Sequence, residues 1–154
     1  MIKKTYRRLL IPFLTVITVN AFAQDDEAAV KHIVNQLFRG MKETDTALIR
    51  SAFYENPVLQ TVIRTQEGKT VLITEPLDSF LLAIAEKHAD VYDERITFDA
   101  VKIDGNLAMV WAPYKFFIGD KFSHCGVDSF QLMKVDGVWK IHYLVDTRRR
   151  QNCD

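Results

Sequence analysis

The stretch DSFQLMKVDGVWKI, residues 128–141, alternates apolar and polar side chains on either side of an Asp-Gly pair. Alternation with a period of two predicts β-strands with one buried face, and Asp-Gly favours a two-residue hairpin turn. We therefore predict a hairpin whose turn is Asp136-Gly137. Because such a turn fixes the register, Phe130 should lie opposite Tyr143 and Asp128 opposite Val145.

Two further pairs of turn residues, Asp104-Gly105 and Gly119-Asp120, divide the preceding sequence. The predicted strands are residues 95–103, 107–118, 121–135 and 138–148. With two-residue turns, Trp111 should lie opposite Asp128, and Lys115 opposite His124. One shared face should be buried, because most of its side chains are large and apolar. It carries Phe98, Met109, Trp111, Phe130, Leu132, Trp139, Ile141 and Tyr143, with Lys115, His124 and Asp128 as polar groups among them.

The opposite face of these strands is mixed and should meet water or a partner subunit. It carries Ser123, Ser129, Gln131, Lys140, His142, Asp146 and Arg148, with Tyr114, Phe116, Cys125 and Leu144. His124 and Cys125 are consecutive, so on a regular strand they point to opposite faces and cannot form a thiol–imidazole dyad. For Cys125 and Cys153 we expect free thiols or a bridge between molecules, because an intrachain bridge requires the tail to fold back.

The first half of the chain predicts helices and one hairpin. Residues 25–45 carry an apolar stripe at helical spacing, and residues 46–53 predict a second, short helix. Two β-branched runs, PVLQTVIRT and KTVLIT, flank a turn-like QEGK and predict a hairpin. A third helix follows, with a stripe from Leu77 to His88. The order ααββαββββ predicts one α+β domain.

Residues 1–23 have the pattern of a secretory signal peptide. A basic segment precedes the apolar run LLIPFLTVITV, and the small residues of AFA then favour cleavage after Ala23. We expect a periplasmic or secreted protein whose single domain is residues 24–154. Without the four basic residues of the leader, 16 Lys and Arg remain against 20 Asp and Glu, a net charge of −4. This charge argues against nucleic acid or an anionic membrane as a partner of the mature chain.

The element order, together with the pattern from Asp128 to Ile141, resembles the nuclear transport factor 2-like, or SnoaL-like, superfamily. The aspartate, the alternating apolar residues, Lys134, the Asp-Gly turn and Trp139-Lys140-Ile141 are particularly similar to the exported proteins called "putative lumazine-binding". The resemblance implies a cone, in which a curved antiparallel sheet wraps around three helices and leaves a cavity at its wide end. It also implies that a homodimer through the outer face of the sheet is common. Some relatives are isomerases, dehydratases, cyclases or hydrolases, whereas others only bind or scaffold.

Asp128 is the most informative candidate, since an ionised carboxylate on a buried face is costly unless it is paired or wet. It is either a satisfied structural aspartate or a polar group at the bottom of a ligand cavity. The candidate ligand-binding residues are Trp111, Asp128, Tyr143, His124, Lys115 and Phe130. The candidate catalytic residues are Asp128, as a base, and His124. No spacing indicates a metal site, and no motif indicates a cofactor.

Three functions remain open at this point. The first is an exported domain that binds a small apolar or aromatic molecule, because an apolar pocket with one or two polar groups is typical of small-ligand sites. The second is an isomerase, dehydratase or cyclase in which Asp128 is the base and His124 or Tyr143 donates a proton or a hydrogen bond. The third is a non-catalytic dimerisation or interaction module.

Overall fold

The protein is described by a computed structural model that covers residues 21–86 and 89–153. The helices are α1 (Ala21–Glu43), α2 (Thr46–Ala52) and α3 (Leu77–Ala85). The strands are β1 (Phe53–Arg64), β2 (Thr70–Glu75), β3 (Tyr92–Ile96), β4 (Ala100–Asp104), β5 (Leu107–Ile118), β6 (Lys121–Val135) and β7 (Val138–Thr147). His88 and all but the last three residues of the predicted signal peptide lie outside this description.

The predicted α+β fold is confirmed, with one more strand than expected. The predicted strand 95–103 is split into β3 and β4, both of which pair with β5. Between them, Thr97 and Asp99 donate backbone hydrogen bonds to the carbonyl groups of Pro113 and Trp111, so the segment follows β5 with one extra residue. The extra residue is a β-bulge, which bends the edge of the sheet.

The seven strands form one curved, unclosed sheet in the order β2-β1-β7-β6-β5-β3, with β4 also paired to β5. Neighbouring strands are antiparallel, except that β1 and β7 run parallel. The helices cover the concave face. The core joins the apolar stripe of α1 to the inner face of the sheet, and its members include Val30, Val34, Leu37, Phe130, Leu132, Trp139 and Ile141. Burial of this joint face is the main favourable contribution to folding.

Side chains of the β6–β7 hairpin also bind Asp26, near the start of α1. Asp136 and Gly137 both have positive φ, as a two-residue hairpin turn between twisted strands requires. The Lys134 ammonium and the Trp139 indole N–H, one on each strand, both donate to Asp26 Oδ1, at 2.6 and 3.1 Å. The Lys-Asp-Gly-Trp pattern therefore ties the hairpin to the first helix.

The register beyond each turn differs from the prediction. Between β6 and β7 the predicted register continues as far as Leu132 opposite Ile141. A shift then places Phe130 opposite Leu144 and Asp128 opposite Asp146. The extra residue is His142, and this bulge exchanges the two faces for the rest of β7.

A second bulge changes the faces of β5 relative to β6. Phe117 lies opposite Phe122 as predicted, but a shift then places Ala112 opposite Asp128 and Trp111 opposite Ser129. The inner face of β5 therefore carries the buried residues Ala108, Val110, Ala112 and Tyr114. The prediction that Met109, Trp111, Lys115 and Tyr143 share the buried face is wrong in register, whereas Phe98 packs against the core as predicted. In particular, Trp111 is 46% exposed and Lys115 is exposed.

The expectation for the cysteines is also wrong, because Cys125 and Cys153 form an intrachain disulfide. The tail does fold back. Arg149 pairs with Cys125 through two backbone hydrogen bonds of 2.9 Å, which extend the sheet beyond β7. The Arg149 guanidinium then donates to the Asn152 carbonyl at 3.0 Å, and Asn152 has a positive φ of 54°. This turn brings Cys153 to the buried Cys125.

Candidate functional site

A cavity of about 860 Å³ lies between the helices and the concave face of the sheet. Its buried wall is apolar where α1 and α3 contribute, through Leu37, Phe38, Met41, Phe80 and Ile84. The sheet side of the wall carries the polar residues Glu94, Tyr114, His124, Asp128 and Asp146, with Arg148 directly after β7. Exposed charged side chains stand around the opening: Arg64, Glu75, Glu86, Arg149 and Arg150.

Three carboxyl groups converge on the sheet side of this cavity. Asp128 on β6 and Asp146 on β7 lie directly opposite each other and are 4% and 8% exposed. Glu94, half-buried on β3, lies close enough to Asp128 for a hydrogen bond between the two carboxyl groups. Two carboxyl groups can form such a bond only if one of them carries a proton, so Glu94 and Asp128 share a proton.

The environment favours this shared proton. Burial raises the pKa of Glu94 to about 7, and the charge of Asp146 acts in the same direction, against the lowering effects of the Asp128 hydrogen bond and of Arg148. Burial, followed by the charges of Glu94 and Asp146, raises the pKa of Asp128 well above its usual range. A buried acid near other acids favours its neutral form, since neither water nor a cation stabilises the charge.

One oxygen of the pair still lacks a donor. Asp128 Oδ2 is fully buried and accepts no hydrogen bond from any donor in the part of the chain that the structure describes. Buried polar atoms are nearly always hydrogen-bonded, because a missing partner costs free energy. The cavity wall therefore presents an unsatisfied acceptor.

Asp146 is held differently, by a cation and a phenol. Arg148 Nε donates to Asp146 Oδ2 at 2.9 Å, and the Tyr114 hydroxyl lies 3.4 Å from the same oxygen. Burial opposes the charge of Arg148, but the Asp146 charge and hydrogen bond outweigh it and raise the pKa of the guanidinium. Burial, followed by the charges of Asp146 and Glu94, also raises the pKa of Tyr114, which stays a protonated donor. Asp146 is thus the member of the three acids that has a cation beside it.

A glycine makes room for this arrangement. A Cβ atom on Gly126 would lie 1.7 Å from the Thr147 carbonyl oxygen and 2.6 Å from Cε1 of the Tyr114 ring. Only a residue without a side chain permits this approach. It allows the Tyr114 hydroxyl to donate to the Thr147 carbonyl at 2.9 Å. Gly126 therefore positions the phenol beside Asp146.

His124 lies in the cavity wall near the opening. Its ring centroid is 4.9 Å from that of Phe116, and its Nδ1 lies 3.1 Å from Ser123 Oγ. Burial, followed by the charge of Arg148, lowers the pKa of the imidazole. His124 is therefore neutral at pH 7 and can donate or accept a hydrogen bond, but it does not provide a positive charge.

Of the six predicted ligand-binding residues, Asp128 and His124 line the cavity. Phe130 is fully buried and packs edge-on against Phe38, with ring centroids 6.1 Å apart. Trp111 and Lys115 lie on the other face of β5. The Tyr143 hydroxyl donates to Gln60 Oε1 at 2.7 Å, away from the three acids.

Sequence reasoning missed Glu94, Tyr114, Asp146 and Arg148. The last three were assigned to the outer face, because the bulges of β6 and β7 were not anticipated. Glu94 had a signal of its own, since it stands between Tyr92 and Ile96 in a period-two pattern, as Asp128 stands among apolar residues. A single acidic residue among the apolar residues of one strand face thus indicates a candidate site residue.

Within residues 21–86 and 89–153, no three His, Cys, Asp or Glu side chains are arranged to hold a metal ion. No helix in the same part of the chain has the length and apolar character needed to cross a membrane.

Residues 25–143 match the family described as "Putative lumazine-binding". No curated protein matches the chain. A solved nuclear transport factor 2-like protein of unknown function from Shewanella baltica is 18% identical, with 86% of this chain and 100% of that chain covered and a TM-score of 0.68. A similar protein with a cystatin-like fold from Novosphingobium aromaticivorans is 10% identical, with 91% and 92% covered and a TM-score of 0.71.

A domain of unknown function with a cystatin-like fold from Nostoc punctiforme is 15% identical, with 83% of this chain and 80% of that chain covered and a TM-score of 0.64. At these identities the likeness to solved structures concerns the fold alone. The family match is different in kind, because it extends from the start of α1 into β7 and covers most of the chain. The chain therefore belongs to the "Putative lumazine-binding" family and has the nuclear transport factor 2-like fold.

Proposed function

We propose that the protein binds a small molecule inside the cone. The observation that carries the proposal is the 860 Å³ cavity in whose wall Asp128 Oδ2 is buried without a donor. Volumes of this size hold ligands of drug size, and such sites combine apolar walls with a few placed polar groups. Here the helices supply the apolar wall, and the sheet supplies the acids, Tyr114 and His124. The name of the family supports a small ligand and offers lumazine as a first probe.

The test is native mass spectrometry of the protein purified from its own host, followed by calorimetric titration with lumazine and with any molecule that is retained. Ala83→Trp should block binding, because Ala83 lines the cavity and its side chain is exposed. Leu82→Trp is the matched control, since Leu82 is 70% exposed on the same helix and does not line the cavity. Equal binding by both variants would place the ligand elsewhere and reject the proposal.

An enzyme is the second candidate, favoured by the coupled acids. A general base is most effective when its pKa lies near the working pH, and Glu94 has a pKa of about 7. In such an enzyme Asp128 would take a proton from the bound molecule, and the Glu94–Asp128 pair would return it to another atom. Turnover distinguishes the candidates once a ligand is recovered: a binding protein releases the molecule chemically unchanged, whereas an enzyme converts it and loses this conversion in Asp128→Asn.

We also propose export and self-association. The Cys125–Cys153 disulfide is consistent with an oxidising compartment, which supports cleavage of the leader after Ala23. The mass of the protein secreted by its own host tests this directly.

For a homodimer through the outer face of the sheet, the support is Trp111, a large apolar side chain that is 46% exposed there. Light scattering on the wild type and on Trp111→Asp tests the dimer, and a wild-type monomer rejects it. If the protein dimerises but binds no small molecule, its function would be that of a non-catalytic dimerisation or interaction module.

A further inference from the structure

We propose that the molecule bound in the cavity carries a basic nitrogen, a protonated amine or amidine, which donates to Asp128 Oδ2 and replaces the proton shared by Glu94 and Asp128. The inference rests on the proposed function and names the chemical class of its ligand. Three features support it: the charge balance of the wall, the unsatisfied oxygen, and the groups that are already committed elsewhere.

The wall of the cavity has more buried acid than base. Glu94, Asp128 and Asp146 converge there, and Arg148 is the cation that the sheet brings to them. Arg148 Nε already donates to Asp146 Oδ2, and its Nη2 donates to Thr61 Oγ1 at 3.4 Å. The pair Glu94–Asp128 is therefore left without a cation, and a ligand that brings one corrects the balance.

The remaining donors near Asp128 are also in use. The Tyr114 hydroxyl donates to the Thr147 carbonyl at 2.9 Å, so it is directed away from Asp128. His124 Nδ1 lies 3.1 Å from Ser123 Oγ, closer to the opening. Asp128 Oδ2 thus has no donor among residues 21–86 and 89–153. An N–H from the ligand would satisfy this buried acceptor, which is costly while unpaired.

Other classes of ligand fit less well at this wall. An anion would face three acids, whereas the arginines that could attract it, Arg149 and Arg150, are exposed at the opening. The acids are not arranged as metal ligands in the described ranges. A neutral donor could satisfy Asp128 Oδ2 but would leave the shared proton in place. A cation can do both, because its charge compensates the carboxylate that loses the proton.

Proton release gives the inference a signature. The titratable groups on the sheet side of the cavity are, besides Asp128, Glu94 from β3, Tyr114 from β5, His124 from β6, Asp146 from β7, and Arg148, which directly follows β7. The helices α1 and α3 face the cavity with Leu37, Phe38, Met41, Phe80, Ala83 and Ile84, none of which titrates. Below the pKa of Glu94, about 7, the cation must compete with the proton, so its affinity should rise with pH and then level off.

The experiment uses three probes of matched shape: 1-naphthylmethylamine, 1-naphthylmethanol and 1-naphthoate. Each is titrated by calorimetry at a pH on either side of the Glu94 value of about 7, in two buffers with different ionisation enthalpies. The amine should bind most tightly, gain roughly tenfold in affinity over about two pH units centred on that value, and release a proton to the buffer. The alcohol should bind more weakly without pH dependence, and naphthoate should bind least.

Two variants and a control complete the test. Glu94→Gln should reduce proton release, because Gln keeps the shape but cannot share a proton, and Asp128→Asn should weaken the amine far more than the alcohol. Glu55→Gln removes an exposed carboxyl that does not line the cavity and should leave the order of the probes unchanged. Equal, pH-independent affinities of amine and alcohol overturn the cation while the cavity remains a binding site. If none of the three probes binds at millimolar concentration, the proposed function fails as well.

Discussion

Asp128 and Asp146 lie directly opposite each other on β6 and β7, both buried and both in the wall of the cavity. Their environments differ, since Asp146 accepts from Arg148 and Asp128 shares a proton with Glu94. Asp146 has a cation beside it, whereas burial and acidic neighbours raise the pKa of Asp128. Two adjacent carboxyl groups therefore have opposite surroundings, and the proposed binding of a ligand depends on this difference.

Asp128→Asn should stabilise the protein at neutral pH. The amide has nearly the volume of the carboxyl group, and it removes a group whose ionisation is disfavoured by burial and by the charges of Glu94 and Asp146. We expect the free energy of unfolding at pH 7 to rise by about 1 to 2 kcal/mol, the range typical of a buried polar atom that lacks a partner. Urea unfolding measures it, with Glu75→Gln at an exposed position as the control. A destabilised Asp128→Asn would mean that the ionised carboxylate has a donor.

The stability of the wild type should be greatest in the weakly acidic range. Glu94 and Asp128 have raised pKa values in the folded state, so the folded protein binds more protons than the unfolded chain. The stabilisation by these protons is fully present at a pH below the pKa values of the unfolded chain, near 4. It is lost as the pH rises through the folded values, about 7 for Glu94. The stabilisation by Asp93 depends on pH in the opposite direction. Burial raises the pKa of its carboxyl group, but Lys42 and Arg95 lower it by more. The stabilisation that Asp93 provides is therefore lost as the pH falls below 3.8.

Unfolding by urea across this pH range checks the profile. In Glu94→Gln the decline between about pH 5 and pH 7 should become shallower, because one of the two linked protons is removed. The acid side, which depends on carboxylates such as Asp93, should stay as in the wild type. A wild-type profile that keeps rising up to pH 8 would contradict the shared proton.

The sequence predicted the hairpins better than it predicted the faces of their strands. The turn at Asp136-Gly137 and the pairing next to it were correct, because turn chemistry is local. The bulge at His142 was not predictable in the same way, since one extra residue leaves the alternating pattern nearly intact and is stabilised by packing elsewhere. Beyond that bulge every residue of β7 changes face, so Asp146 points into the cavity.

The inner face of β5 was misassigned for a different reason. Both of its faces are apolar, and the larger side chains, such as Met109 and Trp111, were assumed to be buried. The structure instead buries the small residues Ala108 and Ala112 under the helices and leaves Trp111 46% exposed. Size does not decide burial where a curved sheet has little room on its concave side. The element order and the importance of Asp128 could be predicted, whereas its partner Glu94 depended on the pairing of three strands.

Removal of the disulfide should destabilise the protein and release the tail from the cavity opening. Cys125 and Cys153 are 28 residues apart, and a bridge over such a loop contributes about 3 kcal/mol by restricting the unfolded chain. We expect the double variant Cys125→Ser/Cys153→Ser to lose a stability of this order in urea unfolding. The pairing of Arg149 with Cys125, next to the cavity, should exchange its amide protons faster in the variant.

The state of the cysteines is checked by intact mass. Alkylation of the unfolded wild type without reductant should add no mass, and prior reduction should add two alkyl groups. Alkylation of both thiols without reductant would show that the bridge is absent. Unchanged stability after reduction would instead show that the tail contributes nothing to the folded state.

Gly126→Ala should disrupt the site from a position that contacts no ligand in the proposals above. Its Cβ would lie 1.7 Å from the Thr147 carbonyl oxygen, so β7 or the Tyr114 ring must move away. Forced contacts of this kind cost about 1 to 3 kcal/mol, and the hydrogen bond from Tyr114 to Thr147 should be lost. With the phenol displaced, Asp146 keeps Arg148 but loses its second neighbour.

Two measurements separate this local effect from general weakening. Ser129→Ala, on the same strand at a residue that already carries a Cβ atom, should stay close to wild-type stability in urea. Tyr114→Phe should reproduce the loss of the hydrogen bond without the clash and therefore cost less than Gly126→Ala. If Gly126→Ala and Ser129→Ala are equally stable, the close approach of β7 at Gly126 does not exist in solution, and the position of Tyr114 beside Asp146 needs another cause.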